Sequence, residues 1–217
     1  LDGKTAKRGV GETQFLFTTG KVGVSSRVSV RAIAPDGTER EKTITITPAD
    51  IDLLWQAGTY TPRWYRGKAL PSPDSIVRVV AEPRFIDRGA RVRPENLSYA
   101  WRVNGELMAG ASGIGKRSTE ISMGGLLSET GIDVTAATLD GAIVAEQSMR
   151  LAPVSPQARL YEERRLEGTR FGVALSEKFL SGENEVSLRA EPFYFALQFI
   201  AKSVAGWLTE SAVLPSE

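Results

Sequence analysis

Apolar and polar residues alternate in short runs along this chain, which is the pattern of strands that bury one face. Residues 28–32 (Val-Ser-Val-Arg-Ala) alternate in this way, and so do residues 43–47 (Thr-Ile-Thr-Ile-Thr). Asp36-Gly37 lies between them and is a strong turn signal, because both residues tolerate the positive φ angles of tight hairpin turns. The pattern therefore predicts a β-hairpin around Asp36-Gly37.

The same pattern continues along the chain. A second hairpin is predicted around Asp140-Gly141, and further strands at residues 76–81, 97–103 and 118–123. The strand at 97–103 ends in Asn104-Gly105, another dipeptide that favours hairpin turns. Several short strands with turn signals and no long helix predict an all-β protein in which two sheets pack as a β-sandwich.

The two hairpin regions repeat each other, with equivalent residues about 104 positions apart. Gly9-Val10-Gly11 aligns with Gly113-Ile114-Gly115, and Asp36-Gly37 aligns with Asp140-Gly141. The alternating apolar residues align as well: Val28, Val30 and Ala32 with Ile132, Val134 and Ala136, and, one position later, Ile44 and Ile46 with Met149 and Leu151. Agreement in both order and spacing predicts tandem copies of one module.

A second block extends the repeat. Ala81-Glu82-Pro83 recurs as Ala190-Glu191-Pro192, and Val79 aligns with Leu188. The register predicts five segments: the C-terminal part of a first module (1–48), an aromatic-rich connector (49–71), a complete module (72–154), a second connector (155–182) and the N-terminal part of a third module or a docking helix (183–217).

The C-terminal segment supports two interpretations. Its apolar residues fall at spacings of four, three, four and four, which is a helical stripe: Phe193, Leu197, Ile200, Val204 and Leu208. The repeat instead predicts a strand that contains Trp207. We expect a short C-terminal helix that docks its apolar stripe on protein, with the strand as the alternative.

Residues 97–105 (LSYAWRVNG) carry a family resemblance. They resemble the third strand of a PKD-type or other immunoglobulin-like module, in which a buried tryptophan precedes an Asn-Gly turn. Residues 53–83 and their partner LRAEPFYF also resemble repeat-bearing surface proteins of ultrasmall candidate-phylum bacteria. The resemblance implies tandem immunoglobulin-like (PKD-like) β-sandwich modules in a secreted, cell-surface protein, with Trp101 buried between two sheets.

Composition narrows the chemistry. The 217 residues include no histidine and no cysteine, which excludes Ser/His/Asp and Cys/His catalytic sites and disulfide bonds. Because 27 basic side chains balance 26 acidic ones, no bulk charge favours nucleic acid. The longest apolar stretch, 193–208, is interrupted by Gln198 and Lys202, so no membrane span is expected. We predict no catalytic residue, no metal site and no cofactor.

A cluster of aromatic and basic residues in the first connector is the candidate binding surface. It consists of Trp55, Tyr60, Arg63, Trp64, Tyr65 and Arg66. Rings beside arginines suit recognition of a glycan or a peptide, because they offer large apolar area with a polar edge. The other interpretation is that the rings seal the junction between modules. The alignment of Trp55 with Tyr161 favours packing.

Two further patterns resemble functional sites. Residues 110–118 nearly match the phosphate-binding sequence G-x-x-x-x-G-K-[ST], but Arg117 replaces the hydroxyl residue and the segment lies between strands, so we expect a glycine-rich connection. Asp50 and Asp52 could face one side of a strand, but acids at this spacing are more often solvated than catalytic or calcium-binding. The charge run at 162–167 is expected to face solvent.

These observations lead to a non-enzymatic structural or adhesive protein that presents its modules to a protein or glycan partner at the cell surface. The alternative is a carbohydrate-binding module or an accessory domain of a carbohydrate-active enzyme. The register also aligns Asp2-Gly3 with Asn104-Gly105 and places Trp207 near the equivalent of Trp101. We therefore expect either a longer array or head-to-tail self-association, in which the C-terminal half of one molecule completes the N-terminal half of the next.

Overall fold

The computed structural model describes residues 1–176 and 186–198, and the chain is an all-β sandwich protein. The strands, numbered in chain order, are β1 (Ser26–Ile33), β2 (Glu39–Ile46), β3 (Asp50–Ala57), β4 (Ile76–Arg84), β5 (Ile86–Asp87), β6 (Ala90–Arg91), β7 (Leu97–Val103), β8 (Glu106–Leu107), β9 (Gly113–Ile114), β10 (Ser118–Ser122), β11 (Thr130–Thr138), β12 (Val144–Leu151), β13 (Gln157–Arg164), β14 (Gly168–Thr169) and β15 (Ser187–Phe193). Two single 3-10 turns precede β7 and β9. The all-β prediction is confirmed.

The strands form three larger sheets and two hairpins. One sheet has the strand order β10-β4-β3, a second has the order β12-β11-β7-β8 with β9 also paired to β7, and a third has the order β14-β13-β15. The hairpins are β1-β2 and β5-β6. The predicted strands at 76–81, 97–103 and 118–123 correspond to β4, β7 and β10.

The chain divides into two compact units. The first unit consists of Leu1–Leu54, Val80–Thr119 and Gly131–Met149, and the second of Trp55–Val79, Glu120–Thr130 and Arg150–Glu217.

The core of the first unit is built around Trp101 on β7. The side chain is fully buried, as predicted, and its indole Nε1 donates a hydrogen bond of 2.8 Å to the carbonyl oxygen of Lys116. Val134 of β11 lies directly opposite Trp101 in the antiparallel register and is also buried. This hydrogen bond pairs the one polar atom of the indole, so the ring is buried without leaving an unpaired donor.

The two predicted hairpins are present, and their turns share a hydrogen-bond pattern. The amide of Gly37 donates to Ala34 at 3.0 Å, and the amide of Gly141 donates to Thr138 at 2.9 Å. Both glycines have positive φ, +83° and +69°. A side chain would strain the backbone at that φ, which is why glycine occupies both positions.

The aspartates of these turns also act alike. Asp36 accepts a hydrogen bond from the amide of Thr38 at 2.8 Å, and Asp140 accepts one from the amide of Ala142 at 3.1 Å. The amide of Thr38 is the main cause of the lowered pKa of Asp36, whereas the pKa of Asp140 is lowered first by a hydrogen bond from the Thr138 hydroxyl at 2.6 Å and then by the Ala142 amide. The two hairpins therefore agree in their turn chemistry as well as in sequence.

The aligned dipeptides Asp2-Gly3 and Asn104-Gly105 agree in the same way. All four residues have positive φ. The side chain of Asp2 accepts from the amide of Arg27 at 2.7 Å, and that of Asn104 accepts from the amide of Gly131 at 2.9 Å. The predicted register thus matches local hydrogen bonds near residue 2 as well as at the hairpins.

Both segments interpreted as connectors contain strands. The segment 49–71 includes β3, which pairs with β4, and the segment 155–182 includes β13 and β14. The alternation of buried and accessible residues in β3, with Ile51 and Ala57 buried, is the reason that it forms a strand.

In the second unit, β15 ends at Phe193, so this residue belongs to a strand and not to the predicted helical stripe. Leu197 and Gln198 are helical. The remaining residues of the stripe, and Trp207, lie outside the described residues.

Candidate functional site

The aromatic residues of the first connector lie in the second unit, where Trp64 and Tyr65 pack against the β14-β13-β15 sheet. A turn positions them, because the amide of Tyr65 donates to the carbonyl oxygen of Pro62 at 2.9 Å. Tyr161 on β13 and Phe193 at the end of β15 supply buried rings on the facing side of the sheet. Trp64 and Tyr65, two of the six candidate binding residues, therefore pack from this turn onto the sheet.

We call this arrangement the aromatic cluster: Trp64, Tyr65, Tyr161, Phe171, Phe193 and Tyr194. The Trp64 and Phe171 rings stack with centroids 4.5 Å apart, and Trp64 contacts Tyr161 edge to face at 5.4 Å. Tyr65 contacts Phe193 edge to face at 5.3 Å. Offset stacks and edge-to-face pairs are the favourable geometries for aromatic rings, so the cluster is a well-packed satellite core.

A hydrogen bond between two tyrosines joins the turn to the end of β15. The hydroxyls of Tyr65 and Tyr194 lie 2.9 Å apart. The pKa of Tyr194 is raised to about 12, mainly by burial and secondly by this hydrogen bond. Tyr194 has a positive φ of 63°, which is unusual for an aromatic residue and orients its backbone towards Tyr60.

Tyr60 contributes through its backbone. Its amide donates to Phe195 at 2.8 Å, and its carbonyl oxygen accepts from the amide of Tyr194 at 2.7 Å. Thr59 forms a β-bridge with Ala196 next to these bonds. These bonds hold the segment around Tyr60 in an extended conformation. They place the following turn, which contains Trp64 and Tyr65, next to the β14-β13-β15 sheet.

Trp55 lies outside the aromatic cluster. The Nζ atom of Lys68 sits 3.2 Å from the centroid of its ring. Partial burial lowers the pKa of Lys68, whereas the electron-rich ring face favours the charged ammonium. The ring face covered by this lysine is closed to stacking by a sugar.

The arginines remain at the surface. Arg63 and Arg66 are exposed, and neither pairs with a carboxylate of the described residues. Two other arginines lie against the cluster: Arg159 stacks 4.8 Å from the Phe193 centroid, and Arg189 lies 5.7 Å from that of Phe171. Arg189 also donates to the buried Glu191 at 2.7 Å.

The structure therefore brings together Trp64 and Tyr65, positions Tyr60 beside them through the backbone, and places Trp55 under a lysine. Sequence reasoning identified Tyr161 as a counterpart of Trp55 but missed Phe171 and Tyr194 as partners of the candidate rings. The signal for Tyr194 was present, because it aligns with the fully buried Phe85 in the repeat.

The glycine-rich segment 110–118 forms a connection between strands, as expected. It contains β9 and leads into β10, so no helix follows it. The Lys116 Nζ atom donates to the carbonyl oxygen of Gly110 at 2.8 Å, and the Lys116 carbonyl accepts from Trp101. The ammonium group that would bind a phosphate is therefore bonded to Gly110 within the same segment.

The acidic candidates pair with arginine. Asp50 and Asp52 both face Arg84, which forms an ion pair with Asp50 and approaches Asp52 at 3.4 Å. The hydrogen bond from Arg84 lowers the pKa of Asp50. Both carboxylates are solvated partners of one guanidinium, which does not suit an acid/base pair.

In the charge run at 162–167, Glu162 departs from the solvent-facing expectation. Its side chain is only 21% exposed and binds Arg164 at 3.1 Å and Arg170 at 3.4 Å. The hydrogen bond from Arg164 is the main cause of its lowered pKa. Arg164, Arg165 and Glu167 are exposed as predicted.

Over residues 1–176 and 186–198, no three carboxylates gather closely enough to hold a metal ion. Within those same residues, no helix has the length and apolar character needed to cross a membrane. No protein-family model matches the chain, and no similar curated protein or solved structure was found.

Proposed function

We propose that this chain is a non-enzymatic structural or adhesive protein of the cell surface, built from tandem immunoglobulin-like modules that it presents to a protein or glycan partner. The observation that carries the proposal is the agreement between the two hairpins. β1-β2 and β11-β12 share turn hydrogen bonds at aligned residues. Repetition of one module suits a spacer, because each copy adds length and presents the same loops again.

The strand order supports the immunoglobulin-like part of the proposal. One sheet is built from β3, β4 and β10 and the other from β7, β8, β11 and β12. Immunoglobulin-like sandwiches place the first, second, fourth and fifth strands in one sheet and the third, sixth and seventh in the other, and β3, β4 and β10 correspond to the first, second and fifth. The buried Trp101 on β7 occupies the third-strand position of that arrangement.

The packing of the aromatic cluster favours a structural role for Trp64 and Tyr65. Their contacts are with Tyr161, Phe171, Phe193 and Tyr194, so the rings stabilise the second unit. The rival function, a carbohydrate-binding module, draws support from Arg63 and Arg66, which are exposed and unpaired among the described residues beside those rings.

Surface labelling of intact source cells tests the location. Antibodies raised against the chain should label intact cells, and external protease should remove the signal. An antibody to a cytoplasmic protein serves as the control for lysis. Labelling that requires permeabilised cells would exclude the proposed surface role.

A glycan-binding screen separates the two functions. Arg63→Ala and Arg66→Ala change exposed side chains and should leave the fold intact, whereas Trp64→Ala should destabilise the second unit. If the role is structural, neither arginine variant should change the binding measured in the screen. Saturable glycan binding that the arginine variants abolish without loss of stability would favour the carbohydrate-binding module.

A further inference from the structure

The β1-β2 hairpin has an open strand edge. Within the described residues, β1 pairs with β2 along one side and with no second strand. Backbone amides point to alternate sides along a strand, and the amide of Arg27 points away from β2, towards Asp2. The amides of Ser29, Arg31 and Ile33 therefore point the same way as that of Arg27. All three residues are exposed, and these amides have no acceptor among the described residues. Such an edge is a template for another strand.

The hairpin that aligns with β1-β2 has this edge covered. β11, the strand that aligns with β1, pairs with β12 on one side and with β7 on the other. In that register Val134 lies opposite Trp101 and Ala136 lies opposite Tyr99. The far edge of β12 is open within the described residues, as is that of β2. The two hairpins therefore differ at the edge where β11 has β7 as its neighbour.

The residues at the start of the open edge have the conformation that follows β7. The amide of Asn104 donates to the carbonyl oxygen of Gly131 at 2.9 Å, and the Asn104 side chain accepts from the Gly131 amide at 2.9 Å. Asp2 forms the same two bonds with Arg27, at 2.8 and 2.7 Å. Because Arg27 aligns with Gly131, Asp2 has the position on β1 that Asn104 has on β11.

Leu1 correspondingly has the position of the last residue of β7. That residue is Val103, which pairs with Glu106 of β8 and with Ile132 of β11. Leu1 and Lys4 form the two hydrogen bonds of such a pair. The amide of Lys4 donates to the carbonyl oxygen of Leu1 at 2.9 Å, and the amino group of Leu1 donates to that of Lys4 at 2.8 Å. A strand that ends at Leu1 therefore runs along the open edge of β1.

We propose that the open edge of β1 binds an extended strand of the β7 type, which is joined to Leu1 and runs antiparallel to β1. The register of β7 on β11 specifies the chemistry of this partner strand. It has apolar side chains at alternate positions, with Leu1 opposite Val28 and larger side chains opposite Val30 and Ala32. The inference rests on the modular structure in the proposed function and adds the third strand of the first module.

The charged residues of the hairpin do not oppose this pairing. Arg40 and Lys42 share a face of the hairpin with Val30, but they lie on β2, which is on the far side of β1 from the proposed strand. A strand that adds to a sheet edge is bound mainly through main-chain hydrogen bonds, with side chains giving specificity. The site therefore requires an open edge and not a continuous apolar face.

Hydrogen exchange resolved by NMR tests whether the edge is open in the chain itself. The amides of Ser29 and Arg31 should exchange at least about tenfold faster, after correction for intrinsic rates, than those of Asp133 and Thr135. Asp133 and Thr135 are the aligned residues of β11, and their amides face β7. Equal protection of the two pairs would show that the β1 edge is already covered and would overturn the proposal.

Adding the partner strand gives the sharper test. A copy of residues 97–102 (Leu-Ser-Tyr-Ala-Trp-Arg), fused to Leu1, supplies a β7-type strand in the proposed register. It should slow exchange of the Ser29, Arg31 and Ile33 amides by at least about tenfold, because each gains a carbonyl acceptor. The amides of Thr43 and Thr45 face the outer edge of β2, so their exchange should not change.

The matched control is the same extension with proline at its second and fourth positions. It keeps the three alternating apolar side chains but removes two backbone donors that would face β1, so it should give no added protection. Protection at Asp133 and Thr135 should be equal in all of these proteins, which reports that the first unit is folded. No added protection with the β7-type extension, or equal protection with the proline extension, would overturn the proposal.

The side chain of Asp2 tests the register of the added strand. In the extended protein, Asp2→Asn keeps the acceptor that Asn104 supplies on β11 and should retain the protection of Ser29. Asp2→Ala removes the bond from the Arg27 amide and should reduce that protection. Equal protection in the two variants would contradict the proposed register.

The outcome is separable from that of the proposed function. Labelling of intact cells without strand pairing would remove this partner and leave the surface role. Strand pairing in a protein that labels only in permeabilised cells would do the reverse.

Discussion

Trp101 is the residue on which the first unit depends most. Because the indole is fully buried and donates to Lys116, Trp101→Ala should lower the free energy of unfolding by about 3–5 kcal/mol. Trp101→Phe should cost less, since it keeps a ring and loses the hydrogen bond. Urea unfolding measures both, with Leu139→Ala as an exposed control in the same unit. Equal losses for Trp101→Ala and Leu139→Ala would contradict this role.

The hydroxyl of Tyr194 makes the stability of the second unit sensitive to alkaline pH. Its pKa rises to about 12 in the fold, against about 10 for a free tyrosine, so folding favours the neutral phenol. The stabilisation is complete below about pH 10 and is lost as the pH approaches about 12. Urea unfolding monitored across this range should show the decline.

Tyr194→Phe should weaken the alkaline decline in the second unit. Tyr99→Phe is the comparison, because burial also raises the pKa of Tyr99 to about 12, but in the first unit. An unchanged alkaline profile of the second unit in Tyr194→Phe would assign the decline to other groups.

The resemblance of residues 97–105 to the third strand of an immunoglobulin-like module predicted the burial of Trp101, and the structure has it fully buried. The partners of Trp64 and Tyr65 could not be predicted in the same way. The Tyr65–Tyr194 hydrogen bond joins residues 129 positions apart, and no local pattern specifies such a contact. Phe171 lies in a segment with no strand-like alternation, so its stacking on Trp64 is a result of tertiary packing.

At the scale of secondary structure, the β7-β8 hairpin depends on the backbone freedom of Gly105. This residue has a φ of +84°, which an L side chain adopts at a cost of about 1–2 kcal/mol. Gly105→Ala should therefore lower the free energy of unfolding by about 1–2 kcal/mol, although open space surrounds the added methyl group. Thermal or urea unfolding measures the change.

Gly110→Ala is the matched control for Gly105→Ala. It also adds a methyl group into open space, but the backbone there does not have positive φ. The Gly110 variant should match the wild type or exceed it slightly, because alanine reduces the entropy of the unfolded chain. Equal destabilisation by both substitutions would show that backbone conformation is not the cause.

Most strands of the modules could be predicted from alternation. The strands in the two segments interpreted as connectors, 49–71 and 155–182, were not predicted. Residues 50–57 alternate between buried and accessible positions and form β3, a signal that was present but was obscured by the nearby aromatic residues. Residues 157–164 were harder to identify, because the strand carries charged side chains and exposes apolar ones. Its pairing with β15 on one side and β14 on the other explains why it is a strand.

For the molecule as a whole, the glycine-rich loop predicts no nucleotide affinity. ATP and GTP should leave the melting temperature unchanged, because the ammonium of Lys116 is bound to Gly110 within a connection between strands. A ligand at 100 times its dissociation constant would add about 2.7 kcal/mol, which a thermal shift detects easily. A shift that Lys116→Ala abolishes would overturn the interpretation of this loop.

The sequence alignment predicted the matching turns at Asp36-Gly37 and Asp140-Gly141, but it could not predict which sheet faces are covered. Aligned residues such as Val134 and Val30 differ completely in exposure, because burial depends on the sheet opposite and not on the strand itself. Partners are likewise recognised by exposed surfaces, which the alternation along a strand does not describe.

Each compact unit contains its own optical reporter. Trp101 is a hydrogen-bonded indole in the first unit, and Trp64 is stacked on Phe171 and edge-on to Tyr161 in the second. Rings fixed at such short distances give intense near-ultraviolet circular dichroism that disappears when packing is lost. Trp101→Phe and Trp64→Phe each remove one of these reporters, so comparing the thermal unfolding of the two variants by near-ultraviolet circular dichroism, without any attached dye, shows whether the two units melt together or one after the other.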